Sequence, residues 1–115
     1  MTVSTYQSQT ALSVSTTELS LISGTSTLAN DTTAGVFQVW IDPSNMVKGD
    51  EFVVRGYEKV RSGGTKRQWF RAVLSNAQSE LWLFVSPLLV NGWDFTIQRT
   101  AGADRTFDTS IRKAG

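Results

Sequence analysis

Apolar side chains recur at every second position through much of the chain after residue 34, and that period suits one kind of backbone. Phe37, Val39 and Ile41 alternate with Gln38 and Trp40, and Trp93, Phe95 and Ile97 alternate with Asp94, Thr96 and Gln98. Successive side chains of a strand point to opposite faces, so this spacing predicts strands with one apolar face. Phe52 and Val54 fall opposite Arg55, Tyr57 and Lys59, while Phe70, Ala72 and Leu74 fall opposite Trp69, Arg71 and Val73. A last strand over residues 106–113 turns Phe107 and Ile111 inward. The run Leu81-Trp82-Leu83-Phe84-Val85 has no polar member and reads as a strand covered on both faces, with Leu88-Leu89-Val90 continuing it beyond Pro87.

Turn signals separate these runs about every ten residues: Asp42-Pro43-Ser44-Asn45, Lys48-Gly49-Asp50, Ser62-Gly63-Gly64-Thr65, Asn91-Gly92 and Ala101-Gly102-Ala103-Asp104. Six or more short strands with no helical period predict an all-β fold, an antiparallel β-sandwich of jelly-roll-like type. Helix is expected in under about a tenth of residues, against a third for globular proteins generally.

The first third differs. Ser and Thr fill 16 of the first 33 positions. Residues 11–14 alternate weakly and residues 18–22 more clearly, so residues 1–33 are expected to form an extended arm with one or two strands. Such a polar segment makes a poor core of its own. It is expected to lie along another surface, either its own domain or a neighbouring subunit. Residues 34–115 then form the sandwich, and 115 residues suit a single domain.

The chain has no cysteine and no histidine. Disulfides, thiolate nucleophiles and thiolate metal sites are thereby excluded, and the commonest general base and transition-metal ligand is missing. No enzyme activity, metal or cofactor is expected. The N-terminus lacks the layout of a secretion signal, and no apolar run approaches the roughly 20 residues of a membrane span. Net charge is +1 but uneven. Residues 1–47 carry Glu18, Asp31 and Asp42 and no Lys or Arg, whereas residues 48–115 carry all 11 basic residues and seven acidic ones. An asymmetry of −3 against +4 can steer one part of a molecule toward an oppositely charged neighbour.

Asp42, Asp50, Glu51 and Asp94 invite comparison with a carboxylate pair or a calcium site, but none has the spacing of a calcium-binding loop. Each is expected to be a solvated turn or ladder residue. The basic loop over residues 61–67 lacks the phosphate-loop pattern, and near-neutral charge gives no support for specific nucleic-acid binding. A solvated hairpin tip is expected, with Lys59, Arg61, Lys66 and Arg67 available to an acidic protein surface. Of the four tryptophans, Trp93 is expected in the core. Trp40, opposite Phe37, Val39 and Ile41, is the candidate for a second, intersubunit surface, since Trp is enriched at interface hot spots. An exposed aromatic pair among them would instead suit a carbohydrate-binding module. The Asn30-Asp31-Thr32 sequon is a frequent chance match.

Residues 35–113 resemble a family of small virion proteins of tailed bacteriophages encoded among head genes. The matching elements are Gly35-Val36-Phe37-Gln38-Val39, Gly49-Asp50-Glu51-Phe52 and the stretch from Tyr57 to Thr65 (YEKVRSGGT). They continue with Val85-Ser86-Pro87, Gly92-Trp93-Asp94 and residues 105–113 (RTFDTSIRK). The resemblance implies a head decoration, or cement, protein on the capsid surface, made in the bacterial cytoplasm. Its partner would be the major capsid protein, its own state a homotrimer, and no membrane would be involved. A tail, neck or fibre-knob component is the alternative within the virion. The Ser/Thr-rich arm matches least distinctively.

Overall fold

The computed structural model describes residues 3–114. Its strands are β1 (Val3–Val14), β2 (Leu19–Ser20), β3 (Val36–Asp42), β4 (Glu51–Glu58), β5 (Arg67–Ser75), β6 (Trp82–Val85), β7 (Asp94–Ala101) and β8 (Arg105–Ala114). No helix occurs among the described residues. The strands form two antiparallel four-stranded sheets, ordered β1-β8-β3-β6 and β2-β7-β4-β5. This is a two-sheet jelly roll, the sandwich expected from the alternation.

The inward rows are those that the two-residue period marks. Phe37, Val39, Ile41, Phe52, Val54, Phe95, Ile97, Phe107 and Ile111 are all buried between the sheets. Trp93 is fully buried against Phe37, with ring centroids 4.3 Å apart, and Phe52 meets Phe107 edge-on at 4.8 Å. β5 departs from simple alternation. Gly56 pairs with Phe70 but Tyr57 pairs with Gln68, so Trp69 is an extra residue in a bulge. The bulge lets Trp69 and Phe70 both pack inward, Trp69 over Gly56 and edge-on to Phe95.

The N-terminal third lies on its own domain. β1 is the edge strand beside β8 and buries Leu12 and Val14, while Tyr6 packs on Phe37 and Trp93. The chain then crosses to the other sheet, where β2 pairs with β7 and Leu21 is buried. What anchors so polar a segment is hydrogen bonding to the body. Tyr6 donates its hydroxyl to Asp31 (2.5 Å), Trp93 Nε1 donates to the Thr33 carbonyl (2.9 Å), and Asp31 and Trp93 exchange backbone bonds. Tyr57 and Thr96 both donate to the Glu18 carboxylate. Burial and that carboxylate push the Tyr57 hydroxyl up to about 12.

Three expectations need correcting. β6 is not covered on both faces: it is an edge strand, with Trp82 and Phe84 turned inward and Leu83 and Val85 exposed. Leu88-Leu89-Val90 does not continue it as a strand. Ser86 and Pro87 break the ladder, and only Leu89 is buried, through a bridge to Gly35. Asp50 and Asp94 are not solvated. Asp94 is buried and accepts bonds from Ser20 Oγ and from the N–H groups of Ala29 and Phe95. Its burial raises the carboxyl pKa, and those donors limit the rise. Asp50 accepts from Arg105 Nε at 2.7 Å and from the N–H groups of Val47 and Ala103. It thus fastens the β3–β4 turn to the β7–β8 turn.

Candidate interaction surface

Trp40 sits on the outer face of the first sheet, as its parity predicts, because Val39 and Ile41 on either side point inward. The ring is half-buried, with the Arg112 guanidinium stacked 4.4 Å from its centroid and its Nε1 bonded to Gln38. Arg112 is a contributor that the sequence reading overlooked. Its position two residues from Ser110, which opposes Trp40 in the β3–β8 register, brings it across the ring. Trp40, Leu81, Asp42, Asp108 and Arg112 line a shallow hollow of about 230 Å³.

The basic residues lie elsewhere, at the β4–β5 hairpin of the second sheet. They do not act alike. Lys66 donates to the Ala29 carbonyl at 2.9 Å and so serves the fold, and the Lys59 methylenes pack over Gly92. Arg61 and Arg67 are exposed and make no ion pair with a described residue. Beside them, Val60, Leu88, Trp69, Glu58 and Arg67 line a second hollow of about 250 Å³. Leu89 bridges to Gly35 at the start of β3, and Trp40 lies five residues, roughly 16 Å, further along that strand. Trp40 and the hairpin therefore do not form one site by direct contact.

What lies between them is β6. Leu83 opposes Trp40 in the β3–β6 register and Val85 opposes Gln38, so both side chains stand on Trp40's face of the sheet. Leu81 shares the Trp40 hollow, and Leu88 shares the hairpin hollow. Leu81, Leu83, Val85 and Leu88 are 61, 42, 56 and 71% exposed. Together they make an apolar border along one side of the sandwich, of the kind that marks protein contact surfaces. The signal for it was present in the sequence as the unbroken 81–85 run, but that run has the same pattern whether a strand is central or at an edge.

The other three tryptophans point inward. Trp69 and Trp82 pack with Phe70, whose ring stacks on Phe84 at 4.3 Å. Among the described residues no group of three or more His, Cys, Asp or Glu is placed to hold a metal ion.

No protein-family model and no curated protein matches the sequence. Among solved structures, the fold is similar to that of the Yersinia pseudotuberculosis-derived mitogen. The two superpose with a TM-score of 0.54 at 11% identity, over 98% of this chain and 86% of the mitogen. At that identity the likeness establishes a shared β-sandwich fold.

Proposed function

We propose that this chain is a decoration protein of a tailed-phage capsid, which binds the assembled head at its outer surface and stabilises it without catalysing a reaction. The observation that carries the reading is the apolar border of β6, flanked by Trp40 and Arg112 at one end and by Arg61 and Arg67 at the other. A rigid sandwich with a contact surface along one side suits a protein that clamps a seam between subunits. The resemblance of residues 35–113 to small phage head proteins supplies the class of partner, the major capsid protein. A carbohydrate-binding role is less well supported, because Trp93 is buried, Trp69 and Trp82 face inward, and Trp40 is capped by Arg112.

A seam exists only after assembly, so the protein is expected to bind heads and not isolated capsid subunits. Binding to the assembled state alone stabilises it by mass action, in proportion to the logarithm of one plus the free concentration over the dissociation constant. The test compares particle melting and DNA leakage with the protein present, stripped away or omitted during assembly. The expected result is a higher melting temperature and slower leakage when it is present. Unchanged melting, with cryo-microscopy density confined to the tail, would move the assignment to a tail or fibre component.

A further inference from the structure

We propose that β6 is the self-association strand of this protein and that two copies join edge to edge through it, antiparallel about a two-fold axis at Leu83.

The four edges of the sandwich are unequal. A sheet edge offers unpaired N–H and C=O groups to any passing strand, and proteins blunt it with charge, brevity or bulges. β1 is Ser/Thr-rich and interrupted by two register shifts, between Thr5 and Gln7 and between Gln9 and Leu12. β2 has two residues. β5 carries Arg67 and Arg71, which face solvent, so pairing β5 with itself about its centre would set Arg71 against Arg71. β6 is short, at four residues, but residues 81–85 include no charge, no bulge and no proline.

The backbone of β6 is aimed correctly. The Ser86 N–H donates to the Phe37 carbonyl on β3 at 2.8 Å. Hydrogen-bonding groups alternate in direction along a strand, so those of Trp82 and Phe84 also face β3, and those of Leu81, Leu83 and Val85 face outward. A two-fold axis at Leu83 makes Leu83 exchange both bonds with its counterpart, and Leu81 do the same with the partner's Val85. That gives about six new backbone hydrogen bonds.

The side chains match in the same register. Leu83 meets Leu83, Leu81 meets the partner's Val85, and the inward Trp82 meets the partner's Phe84. Every pair is apolar, and an isologous contact of this kind closes on itself without propagating into a fibre. Leu81, Leu83 and Val85 are 61, 42 and 56% exposed and each gains an apolar neighbour in the pair, a contact small beside a standard interface. A contact of this size suits a weak, reversible dimer. The pairing is two-fold, in place of the trimer expected from the sequence; it uses the same border as the proposed head contact, so pairing and head binding would compete, and the pairing is measured without capsids.

Sedimentation equilibrium from the micromolar to the millimolar range should give an average mass that rises with concentration toward twice the chain mass for the unaltered protein. Leu83→Lys places like charges on the axis and should give a monomer with unchanged circular dichroism, since Leu83 is exposed. The chain has no cysteine, so Leu83→Cys offers a second, independent readout. Cα atoms about 5.5 Å apart lie within the span of a disulfide, and this variant should cross-link under mild oxidation far faster than Arg71→Cys on the β5 edge. A monomer at every concentration would overturn the proposal. So would an oligomer that Leu83→Lys leaves intact, or equal cross-linking rates for the two cysteine variants.

Discussion

Asp50 shows how one buried carboxylate can govern the acid limit of a small sandwich. The Arg105 guanidinium, then the N–H groups of Val47 and Ala103, hold its carboxyl at about 2 against an ordinary value of 3.8. A depressed carboxyl pKa adds stability that is fully present above the unfolded value and disappears as pH falls through the folded one. Asp50→Asn should therefore be less stable than the unaltered protein at neutral pH. The gap should narrow as pH falls from 3.8 toward about 2, read from urea denaturation at each pH. Gly102 is part of the same device: its φ of +85° and its approach to Asp50 leave no room for a Cβ. Gly56 makes a second residue-scale point. A Cβ there would stand 2.8 Å from Trp69 Cζ2, so Gly56→Ala forces the bulged Trp69 out of its packing. Overpacking of this kind typically destabilises by about 1–3 kcal/mol, and thermal unfolding should show the loss.

Among the elements, β1 is the one whose place was least legible. Residues 1–14 carry only weak alternation, and nothing in the residue string says which strand they will meet. β8 supplies the answer: β3 takes one of its edges and leaves the other for β1. Removing residues 1–14 strips Leu12 and Val14 from the core, at about 1.5–3 kcal/mol each, and bares the edge of β8. Against a total stability of about 5–15 kcal/mol, the truncated chain should melt much lower and aggregate on heating. Full solubility with an unchanged melting temperature would contradict the placement of β1. The strands from β3 onward were easier to read. Phe37, Val39 and Ile41, or Trp93, Phe95 and Ile97, state their inward face by parity alone. Trp69 escaped that rule because a bulge shifts parity by one residue, and bulges leave no fixed mark on composition.

At the scale of the whole molecule, charged side chains stand at both ends of the apolar border. Arg67 lines the hollow at the hairpin end of that border, and Arg61 is exposed on the same hairpin. If they meet acidic capsid surface, their Coulomb attraction is screened by salt and acts mainly on the rate of association. Head binding should then weaken as salt rises, and reversing both charges (Arg61→Glu with Arg67→Glu) should weaken it at low salt and flatten the salt dependence. Lys66→Ala should instead lower stability, because Lys66 is bonded to the Ala29 carbonyl. Sedimentation of labelled protein with heads, alongside thermal melts, separates the two effects.

The sequence by itself determined the fold class, the inward face of most strands and the position of nearly every turn. Those properties depend on residues near one another along the chain, through side-chain period and local backbone preference. Only the tertiary structure decided which strands are edges, which carboxylates are buried and which lysines are already engaged. The apolar run at 81–85, Asp50, Asp94 and Lys66 each take their role from partners at least 37 residues away in sequence, such as Arg105, Ser20 and Ala29. A strand becomes an edge because its neighbours on one side have been used elsewhere, and no local pattern carries that information.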